Sequence, residues 1–173
     1  MEYLSFNYNK IKKDYLNFIK KQKVLSEPFR DQIGQLNDFY LPICIKIYKS
    51  FRKKNKPTII GLTGGQGSGK STISKILKII LKKGFNLNTV IFSIDDFYKT
   101  RKDRDQMSKK ISDLFLTRGV PGTHNTKMLL QCIKNLKNNN FKKMNIPKFD
   151  KSIDNRLSKS NWLQVKKKPN IVI

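Results

Sequence analysis

A chain of 173 residues with 38% apolar and 10% aromatic residues can bury a core, which excludes wholesale disorder. No stretch approaches the roughly 18 consecutive apolar residues of a membrane span, and the polar, lysine-rich start does not resemble a secretory signal peptide. The two cysteines, Cys44 and Cys132, form no CxxC pair, so we expect a cytoplasmic protein without a disulfide framework.

The net charge of +25 points first to a nucleic acid or an anionic membrane as a partner. However, lysine supplies 31 of the 37 basic residues and alanine is absent, a skew typical of an AT-rich genome. Arginine, whose planar fork suits phosphate and base recognition, is scarce. We therefore expect no specific nucleic-acid partner and no membrane partner. A basic, nucleic-acid-associated ATPase is kept as a rival interpretation.

Residues 1–56 have the pattern of an N-terminal helical extension. Apolar residues recur at steps of three and four over residues 3–19, which indicates an amphipathic helix. Ser26-Glu27-Pro28 predicts a break with a new N-cap, and Pro42 should kink or restart the helix that follows. The basic run at residues 52–56 is interpreted as a solvated helix end and a linker.

The pattern changes to that of a parallel α/β core over residues 57–173. Residues 58–63 form a short β-branched apolar run, typical of a buried parallel strand. A helix is predicted over residues 71–83 with Gly84 as its C-cap, and residues 88–94 predict a second buried strand. Strand, helix and strand in this order make a βαβ unit.

A glycine-rich turn between the first strand and the helix satisfies the phosphate-loop pattern GxxxxGK[ST]. Its residues are Gly64, Gly65, Gln66, Gly67, Ser68, Gly69, Lys70 and Ser71, with Thr72 following. Glycines allow backbone N–H groups to approach phosphate oxygens, and the helix N-terminus adds its positive dipole end. Lys70 is expected to reach the β- and γ-phosphates, and Ser71 to offer its hydroxyl to Mg²⁺. The sequence therefore predicts a P-loop NTPase core that binds a nucleotide with Mg²⁺, a motif shared by GTPases, ATPases, helicases and kinases.

The second predicted strand runs into Ser93-Ile94-Asp95-Asp96-Phe97-Tyr98. The carboxyl ends of strands in open parallel sheets face the ligand crevice. Carboxylates placed there can activate a hydroxyl, contact Mg²⁺ through water, or hold a polyol. The structural alternative for either Asp is a cap on the following turn.

These motifs resemble the P-loop small-molecule kinases related to uridine kinase, phosphoribulokinase and pantothenate kinase. Two later segments narrow the resemblance to the D-glycerate 3-kinase-like group: Thr-Arg-Gly-Val-Pro-Gly-Thr-His-Asn at residues 117–125 and Ile-Pro-Lys-Phe-Asp-Lys-Ser at residues 146–152. The similarity spans roughly residues 38–173. It implies transfer of the γ-phosphoryl group of ATP to a hydroxyl of a small molecule, with D-glycerate as the first choice. A uridine- or ribose-type acceptor and an inactive nucleotide-binding remnant are the alternatives.

The resemblance also implies roles for single residues. Asp95 aligns with the general base and would act with Lys70 as a catalytic residue. Substrate-binding positions carried over from the family are Asp96, Tyr98, Arg118, His124, Asp150 and Arg156. Lys151 would join Asp150 in facing the hydroxyls and carboxylate of a sugar acid.

The sequence departs from the group in two places. After the Asp-Lys-Ser motif the chain continues Ile153-Asp154-Asn155-Arg156 rather than with a glycine-rich segment, which leaves the acceptor open. Residues 169–173 have the pattern of a further core strand, which the group follows with a Glu-Gly segment and a lid. We therefore expect an incomplete kinase core, and no motif predicts its oligomeric state.

Overall fold

The computed structural model describes residues 7–22 and 30–173. The predicted break at Ser26-Glu27-Pro28, and the first apolar positions of the predicted N-terminal helix, lie outside the described residues. The chain divides into two compact units, residues 1–91 with 169–173 and residues 92–168. Across the described ranges, no helix is long and apolar enough to cross a membrane.

Helices and short strands make up the described part of the chain, with most of the strands after residue 140. The helices are α1 (Tyr8–Lys21), α2 (Gln32–Gly34), α3 (Leu41–Lys54), α4 (Lys70–Phe85), α5 (Arg101–Lys110) and α6 (Thr126–Lys137). The strands are β1 (Thr58–Ile59), β2 (Thr89–Val90), β3 (Met144–Ile146), β4 (Phe149–Asp150), β5 (Asn155–Arg156), β6 (Leu163–Val165) and β7 (Ile171–Val172). A π-helical segment, Gln35–Tyr40, joins α2 to α3. Single 3₁₀ turns occupy Ile94–Phe97, Asp113–Leu116 and Lys159–Asn161.

In the first unit, the N-terminal helices share an apolar core with α4. Helix α1 buries Ile11, Tyr15 and Ile19, whose four-residue spacing places them on one face. They join a cluster contributed by α3, α4 and the π-helical segment, with members Leu36, Tyr40, Leu41, Cys44, Ile47, Ile76, Leu77, Ile80 and Leu81. Residues on both sides of position 56 thus bury side chains together, and a domain boundary at that position stays a prediction.

Pro42 lies where the helix changes type and does not restart it. The π-helical segment Gln35–Tyr40 passes directly into α3, which begins at Leu41, and the backbone stays right-handed helical at Tyr40 and Leu41. The predicted restart is therefore wrong, and a kink at this position stays a prediction. Helix α3 ends at Lys54, and Asn55 adopts a left-handed conformation (φ +47°) that donates its N–H to the carbonyl of Phe51. Residues 52–56 are exposed, in agreement with a solvated helix end.

A parallel sheet with the order β1-β7-β2 carries the phosphate loop. Strand β7 pairs in parallel with β1 on one side and β2 on the other, and Ile171 and Val172 are almost fully buried between them. This confirms the parallel α/β core and the strand predicted within residues 169–173. The loop after β1 leads directly into α4.

Three predicted boundaries are wrong by a few residues. Strand β1 stops at Ile59 instead of continuing through residue 63, and Ile59 is exposed. Helix α4 continues through Gly84, and the left-handed C-cap is Asn86 (φ +52°), whose N–H donates to the carbonyl of Leu81. The second strand stops at Val90 instead of continuing to Ile94. A capping box centred on Ser93 starts a 3₁₀ turn at Ile94, and that turn ends the extended backbone.

The second unit contains α5, α6 and two antiparallel strand pairs, β3 with β6 and β4 with β5. Strands β3 and β4 are separated by two residues, Pro147 and Lys148. Pro147 lies between them and has no N–H group to donate to a strand ladder. The break lets β4 and β5 form a hairpin of their own.

Candidate functional site

The phosphate loop lies in the first unit, between β1 and the first turn of α4. Gly67 (φ +77°) and Gly69 (φ +78°) adopt a backbone region that glycine enters without strain. A Cβ atom placed on Gly65, Gly67 or Gly69 would meet no atom within 4 Å. The loop therefore borders open space on the side where a phosphate group would approach its backbone. The loop residues are suited to binding the phosphates of a nucleoside triphosphate.

Lys70 folds back over this loop. Its Nζ atom donates to the carbonyl oxygens of Gly64 (2.7 Å) and Gly65 (2.6 Å), which places the ammonium group beside the loop backbone. Thr72 donates its N–H to Gly69 (2.9 Å), so the loop is tied to the first turn of α4. The remaining predicted loop residues, Gln66 and Ser68, are exposed.

Ser71 is the residue of this loop that fits Mg²⁺. It is exposed in the first turn of α4, next to Lys70. The described part of the chain holds no cluster of three or more His, Cys, Asp or Glu residues able to bind a metal ion. A hydroxyl with phosphate oxygens and water as the other ligands suits Mg²⁺, which keeps several waters at nucleotide sites.

Asp95 is the centre of a polar cluster in the second unit. Its N–H donates to Oγ of Ser93 (3.2 Å), which places it in the 3₁₀ turn Ile94–Phe97. Its Oδ2 atom lies 2.7 Å from Nζ of Lys151, and its Oδ1 atom lies 3.9 Å from Nε2 of His124. The carboxylate is 31% exposed, so a solute can reach it.

Tyr98 forms one wall of this cluster. Its ring stacks on His124 at a centroid distance of 4.0 Å and contacts Phe149 at 5.2 Å. Burial raises the pKa of Tyr98, and the charge of Asp95 raises it further, with Lys151 and Arg118 acting in the opposite direction. The phenol is therefore protonated at neutral pH and can donate a hydrogen bond toward the carboxylate.

Arg118 is held against the β4–β5 hairpin. Its guanidinium carbon lies 5.6 Å from the ring centroid of Phe149, and its Nε atom lies 3.0 Å from Oδ1 of Asp154. Asp154 (φ +51°) also pairs with Arg104 at 2.7 Å, and Arg104 is only 1% exposed. This network fixes the turn between β4 and β5.

The other predicted substrate-binding residues have structural partners. Asp96 is buried and pairs with Lys148 at 2.7 Å. Asp150 accepts hydrogen bonds from the hydroxyl and the N–H of Ser152, which lower the pKa of its carboxyl group. Arg156 donates from Nη2 to the carbonyl of Tyr98 (2.5 Å), and burial lowers the pKa of its guanidinium group.

All the predicted substrate-binding residues thus lie in the second unit with Asp95, but they differ in burial and in the groups that they contact. Tyr98 and His124 contact one another beside Asp95, and Arg118 borders the same hairpin. Two contributors were not among the predicted site residues: Arg104, which lies in an otherwise charged helix, and Lys148, the partner of Asp96. Arg104 has no sequence signal, because nothing in a charged stretch tells which cation is buried, whereas Lys148 lies within the motif at residues 146–152 and could have been found there.

Comparisons with known proteins find similarity over most of the chain. Residues 59–173 match the model of the Phosphoribulokinase / Uridine kinase family. The chain is 37% identical over 136 residues to the Saccharomyces cerevisiae protein "Probable ATP-dependent kinase TDA10", covering 73% of this chain and 45% of that one. It is 32% identical over 129 residues to the pantothenate kinase of Streptococcus gordonii, covering 64% of this chain and 40% of that one.

A solved structure has a related fold. The D-glycerate 3-kinase from Cryptococcus neoformans var. grubii matches with a TM-score of 0.64 and 26% sequence identity, over 76% of this chain and 49% of that chain. The present chain therefore spans between 40% and 49% of the length of these three proteins.

Proposed function

The chain belongs to the phosphoribulokinase/uridine kinase family, and we propose that it supplies the nucleotide- and acceptor-binding residues of an ATP-dependent kinase. The reaction is transfer of the γ-phosphoryl group of ATP to a hydroxyl of a small molecule, with D-glycerate as the leading acceptor. The phosphate loop supports the nucleotide half of this proposal. The cluster around Asp95 supports the acceptor half.

In this reaction, the acceptor oxygen bonds to the γ-phosphorus while the bond from that phosphorus to the β–γ bridging oxygen breaks, and ADP leaves. Asp95 orients the attacking hydroxyl and accepts its proton. Lys70 and the loop N–H groups stabilise the negative charge on the phosphate oxygens. When bound, Mg²⁺ supplies charge neutralisation at the same oxygens, and Ser71 is the residue proposed to hold it.

The choice of Asp95 as the general base rests on one observation. Two adjacent carboxylates differ in setting: Asp96 is 6% exposed and paired with Lys148, whereas Asp95 is 31% exposed. A base must reach its substrate within hydrogen-bond distance, and a buried carboxylate in a closed ion pair cannot do so. Asp95 therefore meets the requirement that its neighbour does not.

The groups around Asp95 favour an anionic acceptor. Lys151 and Arg118 border the same cluster as His124, and cations such as these two recognise carboxylates. D-glycerate carries a carboxylate beside its hydroxyls. Pantothenate also carries both groups, and the identity to a pantothenate kinase makes it the second candidate. Uridine, which has hydroxyls without a carboxylate, is the third.

A coupled ADP-release assay tests the proposal, with D-glycerate, pantothenate and uridine offered separately beside an ATP-binding titration. We expect ATP binding and release of ADP stimulated most by D-glycerate. ATP binding with no stimulation by any acceptor would contradict the proposal and favour an inactive nucleotide-binding remnant. Hydrolysis stimulated by RNA or DNA with a steep salt dependence would instead support the nucleic-acid-associated ATPase.

A further inference from the structure

Lys151 occupies the turn between β4 and β5 and reaches from there to Asp95. We propose that Lys151 determines acceptor specificity by exchanging partners. Its ammonium group pairs with Asp95 in the acceptor-free protein and moves to the carboxylate of an anionic acceptor when that acceptor binds. This inference rests on the proposed function, because it assigns a carboxylate-bearing acceptor to the same site.

The backbone of Lys151 is held on both sides. Ser152 donates its N–H (2.8 Å) and its hydroxyl (2.6 Å) to Oδ1 of Asp150, which closes a tight turn around the lysine. Arg118 donates from Nη1 to the carbonyl oxygen of Lys151 (3.3 Å). The main chain is thus fixed while the long side chain extends from it, and a change of partner needs only side-chain rotation.

The Lys148–Asp96 ion pair serves as a comparison within the same unit, because it is less exposed than the Lys151–Asp95 pair. The Lys148–Asp96 and Lys151–Asp95 pairs have the same N–O distance, 2.7 Å. The side chains of Lys148 and Asp96 are 35% and 8% exposed, and Asp96 accepts a backbone hydrogen bond from Ser93 as well. Lys151 is 66% exposed and Asp95 is 31% exposed. Solvent screens the second pair far more, and such exposed pairs contribute little to stability.

A weak, exposed pair can be replaced without a large penalty. An acceptor whose carboxylate lies close to its reacting hydroxyl offers Lys151 an equivalent partner, so no cation is left unpaired. The exchange also releases Asp95 from Lys151 at the moment when its oxygen must accept the hydroxyl hydrogen. A neutral acceptor has no carboxylate to bind the Lys151 ammonium group, so it does not displace Asp95 and the Lys151–Asp95 pair stays intact.

Binding calorimetry with sodium D-glycerate, in the presence of a non-hydrolysable ATP analogue, tests this exchange without requiring turnover. Lys151→Met should weaken D-glycerate binding about 10-fold or more, because a charge-assisted contact is lost. Asp95→Asn should strengthen binding about two- to fivefold, because the competing anion is removed. Lys142→Met, which removes an exposed lysine elsewhere in the second unit, should leave the affinity unchanged.

Either of two results would overturn the inference: Lys151→Met binding D-glycerate as tightly as the parent, or Asp95→Asn binding it no more tightly than the parent. Lack of any D-glycerate binding by the parent would overturn it too. The ADP-release assay distinguishes failure of this inference from failure of the proposed function. Lysine-dependent binding without acceptor-stimulated release contradicts the function alone, and D-glycerate phosphorylation undiminished in Lys151→Met contradicts the inference alone.

Discussion

The ammonium group of Lys148 lies 2.7 Å from Oδ2 of the buried Asp96, which is one residue along the chain from the partly exposed Asp95. Asp96 also accepts the N–H of Ser93 at 2.9 Å, which completes the capping box of the 3₁₀ turn. The buried carboxylate of Asp96 therefore holds the 3₁₀ turn in place, and the turn leaves the carboxylate of Asp95 accessible to solvent.

We expect Asp96→Asn to destabilise the second unit by about 1–3 kcal/mol, since it leaves a charged partner without its counter-ion and weakens the turn. Asp95→Asn is the matched control and should change the free energy of unfolding by less than about 1 kcal/mol, because its ion pair is exposed. Urea unfolding followed by the fluorescence of Trp162, the single tryptophan, reports on this unit. Equal losses in the two variants would contradict the division of roles.

Gly65→Ala should separate nucleotide binding from stability. Gly65 does not have a positive φ, and an added Cβ atom would contact nothing within 4 Å, so the fold should tolerate the methyl group. That methyl group would occupy space where a phosphate approaches the loop. We expect ATP affinity to fall about 10-fold or more, as for loss of contacts worth about 1.4 kcal/mol, while the thermal unfolding midpoint stays unchanged. Unaltered ATP affinity in a titration would show that the phosphates lie elsewhere.

Lys70→Ala should abolish turnover of ATP with little effect on the fold. The ammonium group donates to the exposed loop carbonyls of Gly64 and Gly65, so its loss leaves no buried group without a partner. Lys78→Ala, on the exposed side of the same helix, serves as the control and should behave as the parent. The measurement is ADP release with D-glycerate present. Activity in Lys70→Ala near that of Lys78→Ala would rule out the assigned role.

The two cysteines should resist alkylation in the native protein. Burial raises the pKa of Cys44 to about 12 and that of Cys132 to about 11, so very little thiolate forms at pH 8. Iodoacetamide labelling read by mass spectrometry should modify Cys132 before Cys44, and both quickly in urea. Because burial favours the neutral thiols, their contribution to the free energy of unfolding is complete below about pH 9, the usual thiol pKa. It is lost as the pH rises through the folded-state pKa values of about 11 for Cys132 and about 12 for Cys44. Rapid native labelling of Cys44 at pH 8 would contradict this burial.

The sequence was informative wherever a local rule sets the structure. The phosphate-loop spacing and the β-branched run at residues 169–173 each predicted an element that the structure contains. Local rules failed at strand and helix ends, where a competing partner decides. Asn86 takes the left-handed position expected of Gly84, and the Ser93 capping box ends the second strand early.

The site was predictable in its residues but not in its pairings. Asp95, Tyr98 and His124 were predicted as site residues and lie together. Which of two adjacent aspartates is buried depends on Lys148, a residue more than fifty positions away, and no periodicity encodes that contact. The roles of all these residues, the cytoplasmic location and the absence of a nucleic-acid partner stay predictions.

The central claim is that Asp95 accepts the proton of the acceptor hydroxyl, and single-turnover transfer from γ-labelled ATP to D-glycerate tests it most directly. Asp95→Asn keeps the shape of the side chain but removes its basicity, so we expect phosphoryl transfer to fall at least about 100-fold, the usual scale of general-base catalysis. ATP affinity should change little. Transfer by Asp95→Asn at a rate comparable with that of the parent would contradict the account.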